Sequence, residues 1–197
     1  CNITKTSTKA RERTFPPLVT SPRVLGDVWR YLRSSTQMKS IYLETTIVGH
    51  IAGRLHPVAA VLARQQVTRQ WWHSASDRYL LFVSDLVLAE CGDGDEDAAS
   101  ERLNILEGID VLQTTAAANE LAASLIAAHA VPKSEPRDAL HIALAAINGI
   151  DYLATWNFKH IMNPSTQHLI DAVCRNAGIE SSVICTPEQL LVTYDDP

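Results

Sequence analysis

The sequence contains no long apolar run, and its first residues are polar. No stretch of about 18 apolar residues is free of charge, so a membrane-spanning helix is not supported. Residues 1–17 are polar and lack the apolar centre of a secretory signal. Of the 197 residues, 46% are hydrophobic, which is enough for the buried core of a single domain of ordinary size.

Cysteine is scarce, and glycine-rich motifs are absent. Cys1, Cys91, Cys174 and Cys185 lack the close spacing of a zinc ribbon or a redox pair. Four scattered cysteines in a chain of this length favour reduced thiols, so we expect a cytoplasmic protein. The sequence also has no glycine-rich phosphate loop and no nucleophile elbow of a serine hydrolase.

Charge is distributed unevenly along the chain. Residues 1–37 contain 7 of the 17 basic residues but only 2 of the 22 acidic residues, which leaves 10 basic and 20 acidic residues from 38 to 197. A strongly acidic body is not typical of proteins that hold nucleic acid through phosphate contacts alone. A nuclease hypothesis for this chain must therefore rely on bound cations to offset the negative charge.

The first 37 residues also differ from the remainder in composition. They contain clusters of Thr, Ser, Arg and Pro without a sustained apolar period, although residues 23–33 could form a short helix. We predict that residues 1–37 are a weakly ordered extension, or that Met38 is the natural start. Residues 38–197 are predicted to form the domain.

Short apolar segments alternate with helical patterns from Met38 onward. Because strands separated by helices require parallel crossovers, this order predicts an α/β fold with a parallel sheet covered on both faces. The predicted strands are 41–43, 79–83, 108–113 and 152–155, with an edge strand at 182–185. The predicted helices are 45–53, 57–74, 86–91, one ending near 107, 115–129, 136–148 and 166–176.

Polar residues follow two of the predicted strands directly. Glu44 comes after the first strand, and Asn157 follows the strand at 152–155. Open parallel sheets bind ligands beyond the carboxyl ends of their strands, so both residues are candidates for a functional site. Asp151 precedes the strand at 152–155 and Asp110 lies near the start of the third strand, so both are assigned to the opposite end.

Two further carboxylates lie on helices that reach the same end of the sheet. Glu90 lies one to two turns into the helix after the second strand, and Asp138 lies in the first turn of a helix begun by Pro136. That second helix is apolar nearly all round, so we expect it to be buried. A charge at its start then needs a partner or a metal ion. His141, one turn further on, is interpreted mainly as a packed helix residue.

Three carboxylates and one amide at one edge would make an oxygen-rich, negative site. Mg²⁺ and Mn²⁺ prefer oxygen ligands, and such ions can activate water for phosphodiester hydrolysis. Each residue also has an ordinary structural explanation. Glu44 and Asp138 could complement helix starts, Glu90 could lie at the surface, and Asn157 could form a turn. Only the convergence of the four residues at one edge of the sheet favours a functional site over these structural explanations.

Other charged segments carry weaker signals. Asp93, Asp95 and Asp97 resemble the start of a calcium loop, but the required glycine and the bidentate glutamate are missing. We interpret this acidic run as the cap of the next helix. Arg137 and Lys159 lie near the predicted site in sequence and could contact RNA phosphates.

Four segments together resemble the PIN-domain family, and most closely its VapC-type toxins from toxin–antitoxin pairs. The resemblance covers residues 38 to about 191, and the last two motifs are the most specific. The motifs are Tyr42-Leu43-Glu44-Thr45-Thr46, Leu88-Ala89-Glu90, Arg137-Asp138-Ala139-Leu140-His141-Ile142-Ala143 and Asp151-Tyr152-Leu153-Ala154-Thr155-Trp156-Asn157-Phe158-Lys159-His160-Ile161.

The resemblance implies a three-layer α/β/α sandwich and cleavage of RNA with Mg²⁺ or Mn²⁺. It implies Glu44, Glu90, Asp138 and Asn157 as catalytic residues, with the three carboxylates as metal ligands. A small antitoxin is the implied partner, and a homodimer is also allowed. The first position is commonly Asp in the family and the fourth is often Asp, so the chain departs at Glu44 and Asn157, and we expect one firmly bound ion rather than two.

These departures, with the acidic body, motivate an alternative hypothesis. In that alternative, the chain is a catalytically inactive PIN-like domain that binds nucleic acid or a protein. A phosphatase-like hydrolase on a related α/β fold ranks last, because no nucleophilic aspartate motif follows a strand.

Overall fold

The computed structural model describes residues 38–191. Residues 1–37 and 192–197 lie outside the described range, and the prediction of an N-terminal extension lies outside it with them. The described residues form five strands and eight helices. The strands are β1 (Lys39–Leu43), β2 (Tyr79–Ser84), β3 (Asp110–Leu112), β4 (Tyr152–Ala154) and β5 (Val183–Cys185). The helices are α1 (Thr45–Ala52), α2 (Ala59–Arg78), α3 (Asp85–Gly92), α4 (Glu96–Ile105), α5 (Ala116–Ala127), α6 (Pro136–Ile147), α7 (Gln167–Asn176) and α8 (Pro187–Leu191).

The five strands form one sheet in the order β3-β2-β1-β4-β5, and every neighbouring pair is parallel. Helix α1 packs against α2, α3 and α4, whereas α5 packs against α6 and α7. The predicted fold class is confirmed: the chain is a three-layer α/β/α sandwich with a parallel central sheet. Because all strands run the same way, their carboxyl ends share one edge of the sheet.

The central strand β1 and helix α6 supply much of the core. Ile41, Tyr42 and Leu43 are fully buried, and so are the Ala143, Leu144 and Ala145 positions of α6. Full burial of one large apolar side chain stabilises a fold by about 1.5–3 kcal/mol. The continuous apolar runs of both elements therefore fix them at the centre of the domain, as their sequences predict.

Local sequence signals set the ends of several helices. The Asp95 side chain accepts a hydrogen bond from the Ala98 backbone N–H at 3.0 Å and caps α4, which confirms the interpretation of the acidic run. Gly149 follows α6 with a φ of 62° and donates its N–H to the Ala146 carbonyl. A residue with a Cβ is strained in that left-handed conformation, so glycine ends the helix there.

Helix α2 is longer than its sequence predicts, and α8 is not predicted at all. Ser74, Ser76 and Asp77 have modest helix propensity, which favours an earlier end near residue 74. Ala75, however, is fully buried against the core, and the helix continues to Arg78, directly before β2. Tertiary packing therefore outweighs local propensity at this boundary.

The three described cysteines are buried and form no disulfide. Burial raises the pKa of Cys91 to about 11 and that of Cys185 to about 12, which makes both thiols poor nucleophiles at neutral pH. Between residues 38 and 191, no helix is both long and apolar enough to cross a membrane.

Candidate functional site

Glu44 is a nearly buried carboxylate at the point where β1 ends and α1 begins. Its backbone N–H donates to the Ala154 carbonyl of β4 at 3.1 Å, and only 4% of the residue is exposed. Its Oε2 accepts hydrogen bonds from the hydroxyls of Thr46 and Thr155, the latter at 2.8 Å. Within the described range Glu44 forms no ion pair, so its carboxylate has no paired basic side chain.

Glu90, on α3, is by contrast surrounded by donors. Its Oε2 accepts a hydrogen bond from the Thr45 hydroxyl and lies 3.1 Å from His141 Nε2, while Oε1 lies 3.6 Å from the Arg137 guanidinium. Burial alone would raise the pKa of Glu90. The hydrogen bonds from His141 and Thr45, with the charges of His141 and Arg137, outweigh burial and lower that pKa below its ordinary value. Glu90 is therefore ionised at neutral pH.

Asp138 and Asn157 form a direct pair. Asn157 Nδ2 donates to Asp138 Oδ2 at 3.0 Å, and Asn157 Oδ1 accepts from the His160 backbone N–H at 3.1 Å. Burial raises the pKa of Asp138, and the nearby charge of Glu44 acts in the same direction against the hydrogen bond from Asn157. A cation beside Asp138 would offset both effects.

Short hydrogen-bonded links join the four predicted residues into one network. Thr155 Oγ1 donates to Glu44 and accepts from the Asn157 backbone N–H at 2.9 Å, which connects the loops after β1 and β4. Thr45, the residue after Glu44, bonds to Glu90. The structure therefore brings Glu44, Glu90, Asp138 and Asn157 together at the carboxyl edge of the sheet.

His141 belongs to this network, although its sequence indicated mainly packing. It is 1% exposed, and its Nδ1 lies 2.8 Å from the Tyr42 hydroxyl, which in turn lies 2.7 Å from Ser84 Oγ. Because an ionised carboxylate only accepts, His141 Nε2 must carry the proton that faces Glu90. Its position three residues after Asp138 on α6 is the sequence signal that could have identified it, since such residues share one helix face.

Among residues 38–191, the set of possible metal ligands whose atoms lie close together surrounds Asp138, and it does not include Glu44 or Glu90. One ligand atom each from Glu135, Asp138 and His160 lies within 4.8 Å of the others, and all three residues are half-buried. His160 Nε2 lies 3.7 Å from Glu135 Oε1. Glu135 and His160 are not among the candidate residues that the sequence indicates, because their approach depends on how the loop after β4 folds over the start of α6.

The two basic residues predicted to contact RNA differ in their surroundings. Arg137 is 64% exposed but already lies beside Glu90. Lys159 is exposed, and its side chain forms no hydrogen bond or ion pair in the part of the chain that the structure describes. Asp151, which the strand order assigned to the other edge, bonds there to Ser40 at 2.8 Å and to Lys39 at 3.0 Å.

The donor chemistry of the site fits a hard divalent cation. Glu44, Glu90 and Asp138 offer carboxylate oxygens, and a buried carboxylate such as Glu44 is costly without a positive partner. Fold and site together define the class as an α/β/α protein with a carboxylate cluster at the carboxyl edge of its parallel sheet.

Comparisons with known proteins do not define this class of protein any further. No protein-family model matches the chain, and no curated protein matches its sequence. Among solved structures, the chain is similar to VapBC2 from Rickettsia felis in a crystal structure bound to a DNA fragment from its promoter. The match covers 74% of this chain and 97% of that chain, with 15% sequence identity and a TM-score of 0.49. A likeness this distant carries no argument about activity.

Proposed function

We propose that the chain is a PIN-type, metal-dependent endoribonuclease that hydrolyses RNA phosphodiesters. The observation that carries the proposal is Glu44, which is 4% exposed, forms no ion pair among residues 38–191 and belongs to the same network as Glu90 and Asp138. Isolated buried charges of this kind are usually paired or bound to a metal ion. The motif resemblance to the PIN family supports the same assignment.

Glu44, Glu90 and Asp138 would hold one Mg²⁺ or Mn²⁺ ion, and Glu135 and His160 extend the donor set beside Asp138. The bound ion would supply positive charge that polarises a phosphodiester and helps a water molecule to ionise. No side chain of the site has the character of an activated nucleophile, so hydrolysis by water is the chemistry that the site favours.

The remaining residues hold the carboxylates in place. Thr155 and Thr46 orient the Glu44 carboxylate through their hydroxyls, and His141 and Thr45 orient Glu90. Asn157 Nδ2 binds Asp138 Oδ2 and thereby directs the Asp138 carboxylate. These contacts preorganise the negative oxygens before any substrate arrives, which is a requirement of a precise metal site.

An RNA cleavage assay tests the proposal. Purified protein is incubated with end-labelled structured RNA in Mn²⁺, Mg²⁺ or EDTA, and the wild type is compared with Asp138→Asn and Glu44→Gln. We expect metal-dependent cleavage that falls by about 100-fold or more in both variants, because each loses a charged ligand. Asp110→Asn and Glu107→Gln are matched controls, since both residues are exposed and lie outside the network.

Equal cleavage by the wild type and Asp138→Asn would refute the proposal. The inactive binding domain is the second candidate, and the Arg137–Glu90 ion pair favours it because Glu90 then has a positive partner without a metal ion. RNA binding without cleavage at any Mn²⁺ concentration would support that candidate.

The toxin role and the small antitoxin partner rest on the motif resemblance. Expression of the chain in bacterial cells should arrest growth, and co-expression of a small protein encoded beside it should restore growth. The Asp138→Asn variant is expected not to arrest growth. Arrest by this variant at the wild-type level would separate toxicity from the carboxylate site.

A further inference from the structure

Arg64 lies on α2 against two aromatic rings that flank a residue of the carboxylate site. Its Cζ lies 5.6 Å from the ring centroid of Trp156 and 4.9 Å from that of Phe158. Both distances are within the range of cation–π attraction. Trp156 and Phe158 stand on either side of Asn157 in the loop after β4, so the ring pair adjoins a residue of the site along the chain.

The loop that carries these rings is fastened to α2 and to the site. The Trp156 indole N–H donates to Thr68 Oγ1 at 2.8 Å, and Thr68 lies one turn after Arg64 on α2. The Trp156 backbone N–H donates to Thr46 Oγ1 at 2.9 Å, and the same hydroxyl bonds to Glu44. The position of the ring pair is therefore fixed relative to the carboxylates.

The polar groups of Arg64 remain available. Within residues 38–191 its guanidinium forms no hydrogen bond and no ion pair, whereas Arg69 bonds to carbonyls of the α1 end and Arg137 pairs with Glu90. Ring contacts position a guanidinium without using its five N–H donors. Arg64 is thus a preorganised positive group beside a strongly negative site.

Phe158 adds an apolar face to this group. It is 43% exposed, although large aromatic side chains are usually buried, and it forms an edge contact with Trp156 at 5.9 Å. An exposed ring beside a free guanidinium offers the two contacts that a nucleotide needs, stacking for the base and hydrogen bonds for the phosphate. A base inside a duplex cannot stack in this way, so the arrangement favours a single strand.

We propose that Arg64, Trp156 and Phe158 form a nucleotide-binding subsite for single-stranded RNA next to the carboxylate cluster. Arg64 contacts a backbone phosphate, and one base stacks on Phe158. The proposal rests on the proposed ribonuclease function for its choice of RNA as ligand. It also identifies a positive contact that offsets the acidic body of the domain close to the reacting phosphate.

Binding of a labelled single-stranded RNA oligonucleotide in EDTA, measured by fluorescence anisotropy, tests the subsite without requiring cleavage. We expect Arg64→Ala and Phe158→Leu each to weaken binding by about tenfold, which is the size of one phosphate or stacking contact. Arg64→Ala should also reduce the slope of log K against log salt by about one, whereas Phe158→Leu should leave the slope unchanged. A merely structural role of Arg64 would not change that slope in this way.

Arg78→Ala is the matched control. Arg78 also lies on α2 and over a ring, with Cζ 5.2 Å from the Tyr79 centroid, but at the amino end of β2. We expect the affinity of Arg78→Ala for the single-stranded RNA to stay within about twofold of that of the wild type. A duplex of the same sequence should bind more weakly than the single strand, and Phe158→Leu should narrow that difference.

The outcomes separate the subsite from the nuclease proposal. Weakened binding by both variants without any metal-dependent cleavage would retain the subsite and refute the nuclease. Cleavage by the wild type with unchanged binding in Arg64→Ala and Phe158→Leu would refute the subsite alone. Absence of single-strand binding by the wild type, or equal losses in Arg64→Ala and Arg78→Ala, would also overturn it.

Discussion

Asn157 is held at both ends of its side-chain amide. Its NH₂ group donates to Asp138, and its carbonyl oxygen accepts from the His160 backbone N–H. These contacts require one donor and one acceptor on the same side chain, and an ionised aspartate offers only acceptors. The neutral residue at this position therefore acts through Asp138, as a positioning residue in the proposed site.

Replacing Asn157 with Asp is predicted to make stability depend on metal. The new carboxylate would keep the hydrogen bond from His160 but would face Asp138 Oδ2, now 3.0 Å from Asn157 Nδ2. In EDTA the repulsion and the lost hydrogen bond should cost about 1–3 kcal/mol. Thermal unfolding should show a larger rise in Tm with Mn²⁺ for this variant than for the wild type.

Asn163→Asp is the control for this substitution. Asn163 lies in the same loop, and its Oδ1 also accepts a backbone N–H, from Ser165 at 3.0 Å, while its Nδ2 faces a carbonyl rather than a carboxylate. If Asn157→Asp is as stable as the wild type in EDTA, its amide does not hold Asp138 as described.

The Tyr42 hydroxyl is predicted to stabilise the domain through two buried partners. It lies 2.7 Å from Ser84 Oγ and 2.8 Å from His141 Nδ1, and burial raises the pKa of Tyr42 far above its ordinary value, so it stays protonated. Tyr42→Phe leaves the buried Nδ1 atom of His141 without its hydrogen-bond partner. Urea denaturation should show a loss of about 1–3 kcal/mol.

Tyr152→Phe offers a comparison within the same sheet. Tyr152 is half-buried at the start of β4, and its hydroxyl forms no hydrogen bond with residues 38–191. Its loss should change stability by less than about 0.5 kcal/mol. Equal effects of the two substitutions would mean that the Tyr42–His141 contact adds no stability.

At the scale of elements, the sequence predicts what depends on neighbours along the chain. The apolar run of 41–43 identifies β1, and the all-round apolar pattern after Pro136 identifies the buried helix α6. The end of α2 and the short helix α8 are missed, because packing of Ala75 and the contact of α8 with α2 come from distant segments.

The residues of the candidate site also divide into those that depend on neighbours along the chain and those that depend on distant segments. Glu44 and Asn157 could be placed because a strand end fixes the edge on which they lie. His160, Glu135 and Arg64 could not, because each gains its role from a loop or helix remote in sequence. A periodic sequence pattern predicts which face of a helix or strand is buried, but it does not predict which other element packs against that face.

Asp85 joins two elements, and its contribution to stability is predicted to depend on pH. Its carboxylate accepts hydrogen bonds from the Thr114 backbone N–H at 2.8 Å and hydroxyl at 2.6 Å, which ties the start of α3 to the segment before α5. Burial is the largest single effect and raises the pKa of Asp85, but the hydrogen bonds from Thr114 and Leu86 together outweigh it and lower that pKa. The ionised form is therefore favoured by folding.

Because the pKa of Asp85 is lower in the folded protein than in the unfolded chain, where it is about 3.9, ionised Asp85 stabilises the fold above that pH. This stabilisation is lost as the pH falls through the pKa of the folded state. Asp85→Asn should therefore destabilise the domain at pH 7, by about 1 kcal/mol, and the difference from the wild type should shrink below about pH 4. Denaturant unfolding at several pH values measures it. Asp77→Asn, an exposed carboxylate on α2, is the control, and a difference independent of pH would contradict the role of ionised Asp85.

For the whole molecule, the balance of 20 acidic against 10 basic residues from 38 to 197 determines how the domain meets an anionic substrate. Glu90 has Arg137 and His141 beside it, whereas among residues 38–191 the Glu44 carboxylate has only hydroxyl partners. Negative charge is therefore least compensated at Glu44. A cation beside Glu44 would stabilise the fold, and it would also reduce the electrostatic repulsion between the site and a phosphate group.

Divalent metal is accordingly predicted to stabilise the wild type, and Glu44 is predicted to control the effect. At a Mn²⁺ concentration about 100 times the dissociation constant, the gain should reach about 2.7 kcal/mol. Glu44→Gln should be about 1 kcal/mol more stable than the wild type in EDTA, because the amide oxygen still accepts from Thr46 and Thr155 while the unpaired buried charge is removed. In Mn²⁺ the order should reverse.

Thermal unfolding with and without Mn²⁺ measures both effects, and Glu107→Gln, an exposed glutamate outside the network, should behave as the wild type. A shift of about 1 kcal/mol corresponds to a few degrees in Tm for a domain of this size. The reversal in stability between EDTA and Mn²⁺ is the decisive result, because a carboxylate needed only for packing would lower stability in both. If Glu44→Gln is less stable than the wild type in EDTA and gains as much from Mn²⁺, Glu44 is a structural residue and the metal lies elsewhere.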